Sequence, residues 1–307
     1  MYDSNQTNRR RFLKRALELG AFGLIGSPLA TLSATAAPKG SSQKGWQIGC
    51  YTRPWDQYDY RVALDDITEA GFRYVGLMTT KSETGIVISV RTSLEEARTV
   101  HEEVQQRGLE ILSVYGGNFA LHSLKAAVAD LQKLVNNCAA VESKTLLLAG
   151  TSDPNAHERY YKAVAETAEY AAEKGVELVL KPHGGTNGTG TACRKTIEAV
   201  GNKNFRLWYD PGNIYFYSEG QLDPVREAAV LDGIITGMCV KDYQRPGSIE
   251  VTPGDGLVDF PALFHHLKKG GFTGGPLVIE TLSPGNRATL RTQAQKARLY
   301  LERSAAG

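Results

Sequence analysis

The chain has 307 residues, of which 42% are hydrophobic and 22% are charged, a composition typical of globular domains and unlike that of fibrous or disordered chains. The formal net charge is +2, but residues 1–36 hold five Lys or Arg and two Asp or Glu, so the remainder carries −1. The part of the chain after residue 36 is nearly neutral and lacks the excess of basic residues that nucleic-acid binding requires. We therefore expect no nucleic-acid partner.

The N-terminal segment is predicted to direct export. The residues Asn8-Arg-Arg-Arg-Phe-Leu-Lys14 resemble the twin-arginine motif. A weakly apolar run over 16–30 then leads to Ala34-Thr35-Ala36, which fits an A-x-A cleavage site. The alternatives are an amphipathic membrane-surface helix or a transmembrane anchor, but Glu18 and Pro28 make the run too polar and too short to span a bilayer.

These features divide the chain into three parts. We expect a cleavable signal peptide over residues 1–36, a Gly/Ser/Lys linker over 37–45 and a folded domain over 46–303. The protein is then expected in the periplasm, or otherwise exported, by the twin-arginine pathway. After the signal is cleaved, we expect no stable membrane insertion.

From residue 46 onward, segments typical of strands alternate with segments typical of helices. The predicted strands cover residues 47–51, 74–78, 109–115, 145–149, 176–180, 205–209, 234–240 and 276–279. The predicted helices cover residues 59–70, 93–107, 123–142, 154–174, 191–200, 222–230, 260–269 and 286–303. Eight β/α units in one continuous run predict an α/β protein with a single (β/α)8 TIM barrel over residues 46–303.

An open, doubly wound sheet is the alternative fold for such an alternation. That fold usually carries a glycine-rich phosphate-binding turn after its first strand. This chain has Tyr51-Thr-Arg-Pro-Trp55 at that place, so the barrel is the favoured prediction.

The cysteines show no close pairing along the chain. Two fall on predicted strands and two on predicted helices, so we expect separate core thiols rather than a disulfide framework. They are Cys50, Cys138, Cys193 and Cys239.

Polar side chains gather at the ends of the last four predicted strands. These residues are Lys181 and His183, Asp210 and Asn213, Lys241 and Asp242, and Glu280. Buried parallel strands are almost entirely apolar, so charged residues at their ends indicate a functional role. The carboxyl ends of barrel strands meet at one face, and we predict a single functional site there.

Three C-terminal segments resemble the closing signature of the xylose-isomerase-like barrel family. They are Gly254-Asp-Gly-Leu-Val-Asp-Phe260, Leu267-Lys-Lys-Gly-Gly-Phe272 and Gly275-Pro-Leu-Val-Ile-Glu280. Lys241-Asp242 and Asp210-x-x-Asn213 fit the same pattern, and the resemblance is strongest over residues 176–282. The family includes sugar epimerases, ketose isomerases, inosose dehydratases and endonuclease IV-type enzymes.

The resemblance implies one divalent metal, held by a Glu, an Asp, a His and a Glu from the last four strands. The matching positions here are Lys181, Asp210, Cys239 and Glu280, so two of the four ligand types are retained. Asn213 stands where the family has a further His, and Arg245 matches an Arg that often follows the ligand of the seventh strand.

Two hypotheses for the site follow. Two converging carboxylates repel one another unless a cation lies between them, and the ammonium of Lys181 could fill that gap between Asp210 and Glu280. In this favoured hypothesis the site holds no metal. In the alternative, His183 joins Asp210 and Glu280 to bind one Mn, Mg or Zn ion.

The resemblance also implies removal of the proton alpha to a carbonyl. We predict Glu280 as the base, with Lys181, His183 or Lys241 stabilising the oxyanion or acting as the acid. Desolvation is expected to lower the Lys181 pKa toward neutrality. The predicted substrate-binding residues are Arg245, Lys241, Asn213, Trp55 and Tyr215, of which Trp55 and Tyr215 either stack on sugar rings or belong to the core.

The predicted function is therefore that of a sugar isomerase or epimerase acting on a carbohydrate or cyclitol. A related lyase or dehydratase, or a non-catalytic carbohydrate-binding barrel, is the alternative, since the family Glu and His are missing. A phosphodiesterase is disfavoured because strand ends rich in His are absent. The expected partner is a small carbohydrate, with self-association into a homo-oligomer left open.

Overall fold

The structure is a computed structural model that describes residues 45–307. The predicted signal peptide, its cleavage site and the linker up to residue 44 lie outside the described residues. Within residues 45–307, none of the helices combines the length and the apolar character that a membrane-spanning segment needs.

Eight parallel strands within the described residues pair in chain order and close into a barrel. They are β1 (Trp46–Tyr51), β2 (Tyr74–Leu77), β3 (Glu110–Tyr115), β4 (Thr145–Leu148), β5 (Glu177–Leu180), β6 (Phe205–Tyr209), β7 (Ile235–Val240) and β8 (Gly275–Ile279). The closure is made by β8, which pairs with β1 so that Trp46 lies opposite Gly275 and Cys50 opposite Ile279.

Helices follow the strands and form the outer layer. Over residues 45–307 they are α1 (Tyr60–Glu69), α2 (Leu94–Gln106), α3 (Leu124–Ala140), α4 (Pro154–Glu173), α5 (Gly190–Val200), α6 (Pro211–Tyr217), α7 (Pro224–Ala229), α8 (Phe260–Lys269) and α9 (Arg287–Ala306). Short 3₁₀ turns cover Arg53–Trp55 and Gly185–Asn187. The predicted (β/α)8 TIM barrel is thereby confirmed.

Inside the barrel, the interior is filled by one residue from each of seven strands and by Met78 directly after β2. These buried side chains are Tyr51, Met78, Leu112, Leu147, Val179, Trp208, Cys239 and Val278. Two glycines make room for the largest rings: a Cβ on Gly76 would lie 2.2 Å from the Tyr51 ring, and one on Gly237 would lie 2.3 Å from the Trp208 ring. The barrel interior is thus a packed core, as its side-chain layers require.

All four cysteines are buried and free, as predicted. Burial raises the pKa of the Cys239 thiol well above its usual value. Its Sγ lies 3.9 Å from the hydroxyl of Tyr51, which also donates to Ser113 Oγ at 2.9 Å. Cys239 therefore belongs to the core beneath the mouth of the barrel.

Candidate active site

The carboxyl ends of four consecutive strands deliver charged side chains to one face of the barrel. Directly after their strands lie Lys181 (β5), Asp210 (β6), Lys241 (β7) and Glu280 (β8). Strand pairing extends into two of these positions, because the N–H of Glu280 donates to the carbonyl of Val240 at 2.9 Å and that of Lys181 to Leu148 at 3.1 Å. All four side chains are at most 3% exposed, so their charges must be matched within the protein.

Glu280 is the centre of this charged cluster. Its Oε1 accepts hydrogen bonds from Lys181 Nζ at 2.8 Å, Lys241 Nζ at 2.9 Å and Arg53 Nη1 at 2.7 Å. Its Oε2 accepts a further bond from Lys181 Nζ at 2.7 Å. Arg53 lies in the turn after β1, and its Nη2 donates to the exposed Glu250 at 3.0 Å. Three cationic groups therefore converge on one buried carboxylate.

Asp210 completes the cluster and also begins α6. Its Oδ2 lies 3.2 Å from Lys241 Nζ and 3.7 Å from Lys181 Nζ, while its Oδ1 accepts the N–H of Asn213 at 2.9 Å as the helix N-cap. The Asn213 side chain accepts from Lys241 Nζ at 3.0 Å and donates to the carbonyl of Pro182 at 2.7 Å. The three N–H groups of Lys241 thus all have acceptors.

Gly212 explains how the stem of Lys241 fits beside α6. A Cβ on Gly212 would lie 2.7 Å from Cγ of Lys241 and 2.8 Å from the carbonyl oxygen of Asp242. Both distances are too short for a side-chain carbon, so the first turn of α6 can approach the end of β7 only with glycine at this position.

The charges of the cluster set its protonation states. Burial by itself raises the pKa of Glu280, but the positive charges of its three partners outweigh burial and hold the pKa well below its usual range. Burial by itself lowers the pKa of Lys181, but the neighbouring carboxylates, Glu280 first, raise it above its usual value. The expectation of a Lys181 pKa near neutrality is therefore wrong. Burial also raises the pKa of Asp210, against the opposing effect of Lys241.

A cavity of about 240 Å³ opens onto the cluster. Its charged lining residues are Arg53, Lys181, Lys241 and Glu280. Its uncharged polar and aromatic lining residues are Thr79, Tyr115, His183, Asn213 and Tyr217. The Thr79 hydroxyl oxygen is buried and has no hydrogen-bond partner among the described residues, so it is free to bind an oxygen of a ligand.

His183 lies at the rim of this cavity, with its ring centre 5.5 Å from that of Tyr217. Gly184, with φ +70°, permits this packing because a Cβ there would lie 2.4 Å from the Tyr217 ring. Partial burial and the positive charges of Lys181 and Lys241 lower the pKa of His183 to about 4. The side chain remains exposed to solvent at the rim, and its imidazole is neutral at neutral pH.

The residues present do not fit the divalent metal that the sequence resemblance implies. Over residues 45–307, no three His, Cys, Asp or Glu side chains converge as metal ligands, so His183 does not join Asp210 and Glu280 in a ligand set. The protonated ammonium of Lys181 lies between the two carboxylates, where a metal would need a donor instead of a positive charge. The predicted convergence of Lys181 with Asp210 and Glu280 is confirmed.

Three of the predicted substrate-binding residues lie away from the cavity. Trp55 is fully buried and its Nε1 donates to Asp66 Oδ2 at 2.9 Å, so the stacking role is wrong and Trp55 is a core residue. Tyr215 stacks on Tyr243 with ring centres 5.3 Å apart and does not line the cavity. Arg245 is exposed and also lies outside the cavity lining. Lys241 and Asn213 do line it.

Three lining residues are not predicted by the sequence patterns, namely Arg53, Tyr115 and Tyr217. Arg53 lies just after β1, so the rule that polar residues follow the barrel strands would have found it. Tyr115 ends β3, where its aromatic ring is also compatible with a core role. Tyr217 ends α6, a helix that the sequence pattern did not predict.

Asp242 holds the connection between β7 and α8 against the barrel. Its carboxylate accepts four backbone N–H groups at 2.8–3.0 Å, those of Tyr243, Gly254, Gly256 and Val258. A Cβ on Gly256 would lie 2.2 Å from Oδ1 of Asp242, so the loop can approach this closely only with glycine there. Asp242 therefore shapes the wall of the site and does not line the cavity.

Among curated proteins, the chain is similar to inosose dehydratases. It is 28% identical to that of Yersinia enterocolitica over 167 residues, which is 48% of this chain and 55% of the relative. It is 25% identical to that of Erwinia tasmaniensis over 236 residues, 65% of this chain and 78% of the relative. The chain thus spans about half the length of the first of these relatives.

Solved structures of sugar epimerases share the fold. D-psicose 3-epimerase from Clostridium cellulolyticum superposes with a TM-score of 0.67 at 15% identity, covering 84% of this chain and 99% of that chain. The 3-keto-D-glucoside 4-epimerase from E. coli gives 0.63 at 14% identity, with 84% and 99% coverage. The model of the xylose isomerase-like TIM barrel matches residues 64–303. This chain therefore belongs to the xylose isomerase-like TIM barrel family.

Proposed function

We propose that this protein is an enzyme that acts on a keto-sugar or keto-cyclitol by removing the proton alpha to the carbonyl, as a sugar isomerase or epimerase does. One observation carries the proposal: a single cavity joins cationic groups, which favour an enediolate, to a neutral imidazole, which can accept a proton. The family membership and the curated relatives, which are inosose dehydratases, support a carbohydrate or cyclitol substrate.

Lys181 is the proposed electrophile. Its raised pKa keeps it protonated, and its bonds to Glu280 leave one N–H for the carbonyl oxygen of the substrate. As the C–H electron pair forms the C=C bond of the enediolate, negative charge develops on that oxygen. Fixed positive charge in a largely buried site stabilises this transition state without reorganisation.

His183 is the proposed base in place of Glu280. Both oxygens of Glu280 accept hydrogen bonds from buried cations, so neither is open to receive a proton from the substrate. The imidazole of His183 is neutral and accessible at the rim. The alpha proton moves to the imidazole. In isomerisation the imidazolium returns it to the former carbonyl carbon, while the hydroxyl proton on the alpha carbon passes to the former carbonyl oxygen. In epimerisation the alpha carbon takes a proton from water on its opposite face, and the imidazolium releases its own proton to solvent. As the enediolate forms, its charge offsets the ammonium groups that disfavour imidazolium.

Loss of water is the second candidate outcome, favoured by the similarity to inosose dehydratases. It begins with the same proton removal. The enediolate then expels a hydroxyl from the beta carbon, and an acid must donate a proton so that this group leaves as water. Both outcomes therefore depend on the same base and the same electrophile.

The test is exchange of the alpha proton in heavy water, followed by NMR with a panel of keto-sugars and 2-keto-myo-inositol. We expect exchange with at least one compound, and a loss of about 100-fold or more in His183→Ala. His265→Ala, on the exposed side of α8, is the matched control and should retain the wild-type rate. Sugar binding without exchange of any compound would favour the non-catalytic binding barrel instead.

We also propose export by the twin-arginine pathway, supported by the motif at residues 8–14 and the A-x-A site that follows it. Replacing Arg9 and Arg10 by Lys should hold the full-length protein inside the cell. Cell fractionation decides between this and a location that does not depend on the motif.

A further inference from the structure

A second cavity of about 220 Å³ adjoins the first. The two share Tyr115, Ala149 and His183 in their linings. The remaining residues of the second cavity come from the segments after β3 and β4 and from α4, and they are Gly117, Asn118, Phe119, Leu121, Gly150, Thr151, Ser152 and Tyr160. The binding space therefore extends from the charged cluster past β4.

The two cavities differ in charge. The first contains three cations and a carboxylate, whereas the second has no Lys, Arg, Asp or Glu in its lining within the described residues. The side chains of Asn118 and Ser152 are exposed and have no hydrogen-bond partner in the described part of the chain. Phe119 and Tyr160 form an aromatic wall with ring centres 4.7 Å apart. Hydroxyl and amide groups beside aromatic rings suit a neutral, polyhydroxylated group.

Two glycines give this second cavity its shape. Gly117 and Gly150 have φ of +73° and +77°, which lets the chain turn away directly after β3 and β4. A Cβ on Gly150 would lie 2.1 Å from Nδ2 of Asn187, so this turn packs against the loop after β5. The cavity wall is therefore a defined part of the fold.

The geometry points to a substrate with two sugar units. Small-molecule sites usually occupy about 300–1,000 Å³, a range that neither cavity reaches alone and that the two reach together. We infer that the reacting keto-sugar binds beside Lys181 and His183, and that a glycosidically linked neutral sugar binds beside Asn118 and Ser152. This inference rests on the proposed function for the reacting unit, but not for the binding of the second unit.

The test compares D-fructose with the keto-disaccharides lactulose, maltulose, turanose and palatinose, in which a second sugar is linked to fructose. Binding energy from a remote sugar should raise kcat/KM for proton exchange by about tenfold or more for at least one disaccharide. Ser152→Trp, which fills the second cavity, should abolish that preference. Asn155→Trp, three residues along and outside both cavities, should preserve it.

Calorimetry separates this inference from the proposed function. If no compound exchanges its proton but a disaccharide binds more tightly than D-fructose, and Ser152→Trp removes the difference, the second subsite stands while the proposed reaction fails. If D-fructose exchanges and binds as well as every disaccharide, or if Ser152→Trp leaves a disaccharide preference intact, the two-unit substrate is overturned.

Discussion

Lys181 and Glu280 form a two-point ion pair at the mouth of the barrel, with Nζ 2.8 Å from Oε1 and 2.7 Å from Oε2. The same ammonium lies 3.7 Å from Asp210. The chain thus places a cation of its own between two buried carboxylates. The protonation states of the site depend on this pair, and we expect its stability and its metal affinity to depend on it as well.

Glu280→Gln should destabilise the fold by about 3–5 kcal/mol, because it leaves buried cations without their main counter-charge. Urea unfolding measures the loss. Glu158→Gln is the matched control, since Glu158 is 85% exposed and its pair with Lys162 should contribute little. Equal stabilities for the two variants would contradict the central role of Glu280.

The charged cluster should also make the free energy of unfolding fall at acid pH. The folded-state pKa of Glu280 lies well below its usual range, so its contribution is fully present above the unfolded-state pKa of about 4.3. The contribution is lost as the pH falls from there through the folded-state pKa. Chemical unfolding between neutral pH and pH 2 should show this slope, reduced in Glu280→Gln. A slope of the opposite sign would refute the assignment.

Restoring the family residues should create a metal site. In Lys181→Glu combined with Cys239→His, residues from β5 to β8 supply a Glu, an Asp, a His and a Glu, a donor set suited to a divalent ion. Lys241→Ala is added because the Lys241 ammonium would otherwise still lie against both carboxylates. Calorimetry with Mn²⁺ should detect stoichiometric binding to the triple variant and not to the wild type. Stoichiometric metal in the purified wild-type protein would show that Lys181 does not displace it.

His183 should titrate below the ordinary histidine value of 6.5. Partial burial, together with the positive charges of Lys181 and Lys241, disfavours imidazolium, so His183 stays neutral until the pH falls well below that value. NMR titration of its ring protons measures this directly. Lys181→Met should move the pKa upward, because one repelling charge is removed. A wild-type pKa at or above 6.5 would rule out a neutral base held by the cluster.

Gly212→Ala should destabilise the protein by about 1–3 kcal/mol, because the new methyl group overlaps the stem of Lys241. Gly247→Ala is the control, since a Cβ there meets nothing within 4 Å and the backbone is not left-handed. Its effect should stay within about 0.5 kcal/mol. Thermal unfolding compares the two, and similar losses would mean that Gly212 does not limit the packing.

Barrel closure and the position of the site could be predicted from sequence because both depend on local patterns repeated along the chain. Each β/α unit has its own periodicity and helix-end signals, and Ser93 and Glu96 form the capping box that such spacing indicates. Lys181, Asp210 and Glu280 each directly follow a strand, and barrel topology alone brings strand ends together.

The pKa values could not be predicted in the same way. Burial and neighbouring charge act on Lys181 in opposite directions, and the outcome depends on distances of less than 3 Å that no sequence pattern contains. Part of the cavity lining also could not be predicted from the sequence. Trp55 and Arg53 share one turn, yet Trp55 turns into the core while Arg53 points to Glu280.

The α6 helix shows a further limit. Asp210 both pairs with Lys241 and caps α6, so one carboxylate serves two structures at once. A helix running over only 211–217, and carrying Tyr217 at its end, is too short for a periodic signal. The Asp-Pro start was the only local indication that could have revealed it.

Asp242 anchors both ends of the loop between β7 and α8. Its carboxylate accepts the N–H of Tyr243 at the start of the loop and those of Gly254, Gly256 and Val258 toward its end. Residues 244–253 between these anchors include Ile249, which lines the first cavity, and Glu250, which meets Arg53. A loop whose two ends are held by hydrogen bonds can change length at small entropic cost while its anchored ends keep their positions. Changes of length in this stretch that retain Glu250 should therefore reshape the rim of the first cavity while the charged cluster keeps its contacts.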